Sequence, residues 1–390
     1  MKQTLKLSLS VFCMVAILCT SCKKQDSDPG GTIVQSDIPA VDSKITAFMN
    51  TYNIPGATLA VSKNGKLVYM KGFGVGDQTT DEKVTPAYRF RLASVSKTYT
   101  GVAIMKLFQD GKIDLDGKVF GSGSILGSDF GTPPYQANLT KITVRQLLQH
   151  TIGAWGASTG LDVIDYNPAY SNKQLLDWII DTRPMPNSPG TIFDYSNVNY
   201  FILARIIEKV SGQSYFDYVK SILNTIGAAD TDVAGQTLAE RKPMEVKYYG
   251  QGADAQYVYN IAFPRRVADG GIITTAKDLL KLVTAVDGSD TRPDVLNHTK
   301  ISQFIQPSSV FANYACGIGI WGAENLWFNN GSLPGSRTWF MRHDNGMCVA
   351  LLLNSRPETD PNNVFTYAMQ SLVLDIIKNT NYKWQDIDQF

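Results

Sequence analysis

The sequence predicts an α+β fold in which an antiparallel sheet is assembled from strands at both ends of the chain, flanked by helices, with a mostly helical lobe inserted between them. Three observations point there. Strand-like segments with hairpin turns cluster at 57–73 and 314–354; the stretch between them has mostly helical periodicity; and no Pro/Gly/Ser-rich or charged linker interrupts the chain after Ile38. The body, residues 39–390, therefore reads as one domain, with its helical lobe at about 95–290. A cleft between a sheet and such a lobe is a natural place for a site.

The first two strands are Ala57–Ser62 and Lys66–Phe73, joined by Lys63-Asn64-Gly65, whose Asn-Gly pair is the strongest short hairpin signal. Helical patterns follow at Ser96–Gln109, Thr143–His150, Lys173–Asp181, Asn197–Val210 and Thr275–Val286, several of them stopped by a glycine. Strand character returns at Tyr314–Trp321, Leu326–Asn330, Ser336–His343 and Met347–Asn354, with Asp344-Asn345-Gly346 as a second hairpin turn. A last helix, about Asn363–Asn379, closes the chain.

Composition excludes some classes of function. Thirty-six Lys+Arg against 35 Asp+Glu give a formal charge of +1, so there is no broad basic face for nucleic acid. At 44% hydrophobic and 18% charged the chain has ample core material and no signature of disorder. The three histidines, His150, His298 and His343, are scattered, and neither H-E-x-x-H nor C-x-x-C occurs; no metal and no cofactor is expected.

At the N-terminus, Lys2 and Lys6 precede an apolar run, Leu7–Leu18, then Thr20, Ser21 and Cys22. Residues 1–21 read as a cleavable secretory signal, since a dozen residues cannot span a bilayer core of about 30 Å as a helix. The small residues before Cys22 resemble a bacterial lipoprotein signal, which makes Cys22 the expected lipidated residue and membrane anchor; an ordinary secretory signal is the alternative. Cleavage there removes Lys2 and Lys6 and no acid, leaving 369 residues of formal charge −1. Residues 22–38 are polar and aperiodic, as in a flexible tether. Cys316 and Cys348 lie in apolar runs and are expected as buried free thiols.

The chemistry concentrates in Phe90–Leu107, FRLASVSKTYTGVAIMKL, where Ser94 opens a helix and Lys97 follows on the same face. A serine hydroxyl is a poor nucleophile until a neighbour takes its proton, and a lysine one turn away in a desolvated cleft can do so. The alternative is that Ser94 is only a helix N-cap and Lys97 a solvated first-turn residue. A base could also be a tyrosine perturbed by that lysine. Tyr-Ser-Asn occurs twice: Tyr170–Asn172 precedes a helix that Ser171 or Asn172 would cap, while Tyr195–Asn197 places a phenol and an amide at a loop-to-helix junction and is the better candidate. Gly156-Ala157-Ser158-Thr159-Gly160 satisfies G-x-S-x-G but lacks the strand–turn–helix context that motif needs. His150 reads as a structural hydrogen-bonding residue, and the aromatics Tyr248-Tyr249 and Tyr257–Phe263 as core or cleft lining.

Together these pieces resemble the serine β-lactamase-like family of class C β-lactamases, D,D-carboxypeptidases, D-aminopeptidases and related esterases. The resemblance runs, in order, through IPGATLAVSKNGKLVYMKGFG, FRLASVSKTYTG, LLQHTIG, PGTIFDYSNVNYFILARIIEKVSG, DGGIITTAKDLLKL and the terminal strands, from about Ile54 to about Ser355. It implies a β-lactamase/transpeptidase-like fold and a serine hydrolase that cleaves an amide or ester through an acyl-enzyme. Ser94 becomes the acylated nucleophile, Lys97 the residue tuning its proton transfer, and Tyr195 the base and then the acid. Asn197 bonds the acyl group, and the backbone N–H groups of Ser94 and Ser332 form the oxyanion hole. The family's third element, Lys-Ser/Thr-Gly or His-x-Gly, falls here on Asn329-Asn330-Gly331, with Asn329 and Gly331 facing substrate. That substitution removes a cation, and Arg337, eight residues on, is a candidate replacement if its strand parity turns it to the site. The expected partner is a small-molecule or peptide substrate at the bacterial cell envelope; the rival reading is a non-catalytic envelope binding protein that keeps the fold.

Overall fold

The computed structural model describes residues 36–156 and 162–390, which belong to one compact unit. The signal, Cys22, most of the tether and Ser158 lie outside the described residues.

Helix α1 (Pro39–Thr51) leads into strands β1 (Gly56–Lys63), β2 (Lys66–Asp77) and β3 (Glu82–Lys83). Strand β4 (Phe90–Arg91) delivers the chain to a 3₁₀ turn, Ala93–Val95, and helix α2 (Ser96–Gln109). The lobe contributes α3 (Val144–Leu148), α4 (Asn172–Thr182), α5 (Asn197–Ser211) and α6 (Tyr215–Thr225), then β5 (Asp232–Val233) and β6 (Tyr249–Gly250). It ends with α7 (Phe263–Arg266), β7 (Ile272–Thr274), α8 (Ala276–Thr284) and α9 (His298–Phe304). The chain returns as β8 (Gly319–Trp321), β9 (Leu326–Leu333), β10 (Ser336–His343), β11 (Met347–Leu353), β12 (Ser355–Arg356) and α10 (Val364–Lys378).

Seven strands form the antiparallel sheet in the order β3-β2-β1-β11-β10-β9-β8, so β1 from one end of the chain pairs with β11 from the other. The first hairpin turns at Asn64 (φ 49°) and Gly65 (φ 75°), both left-handed as the Asn-Gly pair predicts. The β1–β11 seam is closed by Gly56 N–H donating to Asn354 Oδ1 at 2.7 Å. Every residue of β11 is buried because both faces of the sheet are covered. One face packs Leu59, Val61, Trp339, Met341 and Leu351 against α1 and α10; the other packs Ala60, Phe340 and Leu352 into the core that holds α2 and α8. Each fully buried aliphatic side chain contributes roughly 1.5–3 kcal/mol, which makes this two-sided burial the main stabilisation of a pairing between distant segments.

Local signals set the helix ends. Thr143 and Ser171 each form a capping box with the Gln three residues later, and Gly212 ends α5 at φ 70°. Ser171 is therefore a cap, as one reading of the first Tyr-Ser-Asn string required.

Two elements are shorter than their periodicity suggests. The segment Tyr314–Trp321 is extended only at Gly319–Trp321, because the chain turns inward with Ala315 N–H on the Ile318 carbonyl. That turn brings Gly317 (φ 85°) against α2, where a Cβ would lie 2.5 Å from the Lys97 carbonyl oxygen. The helix expected at Thr143–His150 stops at Leu148, and His150 adopts φ 55°. Cys316 and Cys348 are buried and unpaired, and burial pushes each thiol up to about 12.

Candidate active site

Strand β4 points the chain at the site. Arg91 is buried with its guanidinium 4.0 Å from the Tyr248 ring centre, 4.7 Å from that of Phe263 and 5.0 Å from that of Tyr259, so those aromatics enclose a cation, while Tyr259 also lines a cavity. Ser336 Oγ donates to the Arg91 carbonyl at 2.8 Å and Thr338 Oγ1 to the Leu92 carbonyl at 2.7 Å, tying β4 to β10. Held this way, Ala93 takes φ 49°, a left-handed conformation that costs a side-chain-bearing residue about 1 kcal/mol or more. The strained turn presents Ser94, half-buried, at the N-terminal end of α2, where the helix contributes positive potential.

Ser94 caps nothing: neither the 3₁₀ turn nor α2 has a side-chain N-cap. Lys97 is not solvated either. It is fully buried, and its Nζ donates to Asn197 Oδ1 at 2.6 Å and to the Asp269 carbonyl at 2.9 Å, with Ser94 Oγ at 3.4 Å. These two facts decide against the capping alternative. The Tyr195 ring centre lies 4.8 Å from Lys97 Nζ, so the second Tyr-Ser-Asn string supplies both an aromatic face and an amide to the lysine. Asn197 is oriented from behind: its Nδ2 donates to Asp162, which leaves Oδ1 to accept from Lys97.

Strand β9 borders this group. Gly331 lies so close that a Cβ would fall 2.0 Å from the Leu92 carbonyl oxygen and 2.6 Å from Thr338 Oγ1. The β9–β10 hairpin closes through Pro334 and Gly335, with Leu333 facing Ser336. In a two-residue hairpin that flanking pair is the hydrogen-bonded one, so Ser332 and Arg337 form a non-bonded pair and the Ser332 N–H faces away from β10. Strand β8 pairs only with Leu326–Phe328, which leaves that edge of β9 open beside the Ser94 turn.

Two sequence expectations are corrected. Asn329 is 7% exposed, and its Nδ2 is shared among the Ser94 carbonyl (3.2 Å), Thr98 Oγ1 (3.0 Å) and the Gly317 carbonyl (2.9 Å). Its Oδ1 accepts from the Asn330 N–H at 2.7 Å, so the amide is spent on holding the Ser94 turn and does not face substrate. Arg337 does not replace the missing cation. It shares strand parity with Trp339 and Met341, which pack beneath α10, and its Nη2 donates to Thr366 Oγ1 of α10 at 3.0 Å. Its side chain is thus on the sheet face opposite Thr338, the face that meets the Ser94 turn.

The Beta-lactamase family model matches residues 41–373. The chain belongs to the Beta-lactamase family. Among curated relatives, Protein flp of Staphylococcus aureus (strain MW2) is 32% identical over 185 residues, 46% of this chain but 34% of that protein, so the match spans about a third of that protein's length. PbpX of Bacillus subtilis (strain 168) is 26% identical over 345 residues, 87% of this chain and 81% of PbpX. Among solved structures, a penicillin-binding protein homologue from Pyrococcus abyssi superposes with TM-score 0.68 at 24% identity, covering 87% of this chain and 78% of that one. A D-amino acid amidase from Ochrobactrum anthropi SV3 does so with TM-score 0.69 at 21% identity, covering 87% and 98%. At these identities the two superpositions show the fold, which is the α+β sheet-and-lobe architecture expected.

This family member also places charges beside Lys97 that motif reading did not single out. Arg266 reaches Asp269 at 2.9 Å, Asp165 at 2.6 Å and Asp162 at 3.3 Å. Burial pushes the Asp269 carboxyl up to about 6, opposed by the charges of Arg266 and Lys97. Asp269, in the string Asp-Gly-Gly, therefore serves Lys97 through its carbonyl while Arg266 stabilises its charge.

Gly331→Ala is expected to lose about 1–3 kcal/mol of stability, as overpacking does, and to lower turnover by shifting the Ser94 turn. Thermal unfolding and steady-state kinetics on the purified variant check this; wild-type values of both would show that β9 does not hold that turn.

Proposed function

We propose that the protein is a serine hydrolase that opens an ester or amide carbonyl through an acyl-enzyme on Ser94. The observation that carries this reading is the fully buried Lys97 Nζ, which contacts Ser94 Oγ, Asn197 and the Asp269 carbonyl beneath the ring of Tyr195. Ser94 Oγ attacks the substrate carbonyl carbon and gives its proton to Tyr195, which acts as the base with Lys97 Nζ 4.8 Å from its ring centre. The carbonyl π-electrons move to oxygen, which the N–H groups of Ser94 and Ser332 stabilise. Collapse breaks the bond to the leaving group, which takes the proton from Tyr195. Water then gives a proton to Tyr195 and attacks the acyl carbon, the Ser94 Oγ–acyl bond breaks, and Oγ takes that proton back as the acid leaves. Membership in the Beta-lactamase family and the fold likeness to a D-amino acid amidase support a small amide or ester as substrate. Export and a lipid anchor on Cys22 belong to the same reading and rest on the N-terminal sequence.

With Asn329 turned inward and Arg337 on the other sheet face, a substrate carboxylate has neither of these groups to meet. A charge-assisted hydrogen bond is roughly twice as strong as a neutral one. Hydrolysis of a chromogenic cephalosporin is therefore expected to be at least about tenfold less efficient than that of a small p-nitrophenyl ester, in keeping with the loss of one such contact. Efficient cephalosporin turnover would refute this. The same neutral Asn329 motivates a second reading, a binding protein without chemistry; folded protein that takes no covalent label from either a fluorophosphonate or a fluorescent penicillin would establish it.

A further inference from the structure

His150 is fully buried, and it makes one contact to Tyr195 and one to each of its chain neighbours. Its ring lies under the Tyr195 ring with centroids 4.3 Å apart. Its Nδ1 accepts from the backbone N–H of Ser196 at 3.2 Å, and its carbonyl accepts from the backbone N–H of Asp194 at 2.9 Å. One residue thereby grips the chain on both sides of Tyr195 and supplies the surface on which the phenol rests. His150 makes these contacts from a left-handed backbone conformation (φ 55°).

The imidazole must be neutral to accept at Nδ1. Burial, and then the charge of Lys97, hold its pKa well below 6.5. The titratable and charged groups around it are Lys97 from α2, Tyr200 from α5, with ring centroids 5.1 Å apart, Tyr314, at 4.9 Å, and Tyr195 itself. With the proton on Nε2, that nitrogen is buried with no hydrogen-bond partner among the described residues. An unmet buried donor is a penalty that an apolar ring would avoid while filling the same space. What the imidazole adds over such a ring is Nδ1, the acceptor for the Ser196 N–H, which also lies 3.2 Å from Asn199 Nδ2.

We infer that His150 is a positioning residue for Tyr195: the Nδ1 and carbonyl bonds fix the backbone on either side of the phenol, and the imidazole ring sets the plane in which it faces Lys97. The inference rests on Tyr195 being the base, as proposed above. His150 touches neither substrate nor the reacting atoms in this account, so it acts only through Tyr195.

A double-mutant cycle tests it, with His150→Phe, His150→Asn, Tyr195→Phe and the combined variants measured for kcat and KM on a p-nitrophenyl ester. His150→Phe keeps a ring and loses the acceptor; His150→Asn keeps an acceptor, tolerates the left-handed backbone and loses the ring. Each is expected to lower kcat by about fivefold or more with Tyr195 present and by less than about twofold once Tyr195 is Phe, because coupled residues are not additive. KM should stay within about threefold of wild type in every variant, as expected when only transition-state positioning is lost. Either His150 variant completes the cycle if the other does not fold. Equal fractional losses in both backgrounds, or an unchanged kcat with Tyr195 present, would overturn the inference while leaving Tyr195 as base. A fully active Tyr195→Phe would remove the base assignment and this inference with it.

Discussion

Ser94→Ala is expected to abolish turnover, by a factor on the order of 10⁴ or more, as loss of a catalytic nucleophile does. The fold should survive. Among the described residues Ser94 Oγ has one long hydrogen bond, 3.4 Å to Lys97 Nζ, and it caps neither the 3₁₀ turn nor α2. What holds the turn is backbone: the Ser94 carbonyl accepts from Asn329 and the Leu92 carbonyl from Thr338, and Ala retains both. Alanine also has the higher helix propensity, so the melting temperature should stay within about 3 °C of wild type. Turnover that survives in the purified, folded variant would place the nucleophile elsewhere.

Lys97→Met carries the second largest effect, a fall in the acylation rate of roughly 10²–10⁴-fold, the usual size of a lost proton-transfer partner. Methionine fills most of the lysine's volume, so the change removes a charge more than it opens a cavity. Its effect on stability has two opposing parts. The Asn197 and Asp269 oxygens lose their donor, at about 1–3 kcal/mol for each buried group left unmet. Against this, a fully buried ammonium whose two closest acceptors are neutral no longer has to be desolvated. A folded variant with a modest change in melting temperature and a large loss in single-turnover acylation is the expected result. Lys97→Arg should not rescue it, because the planar guanidinium cannot occupy a site built for a compact ammonium. Wild-type acylation by Lys97→Met would show that the lysine only fills space.

Much of the fold was legible because its signals are local. The Asn64-Gly65 turn, the glycine stops and the alternating terminal strands each act over a few residues, and the structure places the first hairpin within one residue of its expected start. What was missed is of two kinds, local signals passed over and choices that depend on tertiary contact. Helix α6 carries a regular apolar stripe, Tyr215, Tyr218, Val219, Ile222 and Leu223, and a Ser214 cap that could have revealed it. Helices α1 and α9 are short or weakly patterned. The Tyr314–Trp321 segment has strand composition but turns to meet α2, a choice made by residues more than two hundred positions away.

The site divides in the same way. Ser94 and Lys97 lie one turn apart on a legible helix, so their proximity follows from spacing alone. That Lys97 is buried and not solvated, and that Asn197 and the Asp269 carbonyl receive it, could only be seen once the lobe had folded over α2. For Arg337 the question was strand parity, which a one-residue shift in register reverses. Asn329 occupies the position that motif alignment assigns, yet its side chain turns into the protein because three acceptors converge there. The same residue that removes a cation from the site thus buttresses the nucleophile's turn.

The central claim is that Ser94 forms a covalent acyl-enzyme. Intact-mass spectrometry of the folded protein, taken seconds after mixing with each of a small panel of p-nitrophenyl esters, D-amino-acid peptides and β-lactams, tests it most directly. The account predicts at least one adduct of acyl mass, mapped by peptide digestion to the segment containing Ser94 and absent from Ser94→Ala. Turnover of a panel member with no adduct at any time, or an adduct mapped to another residue, would contradict it.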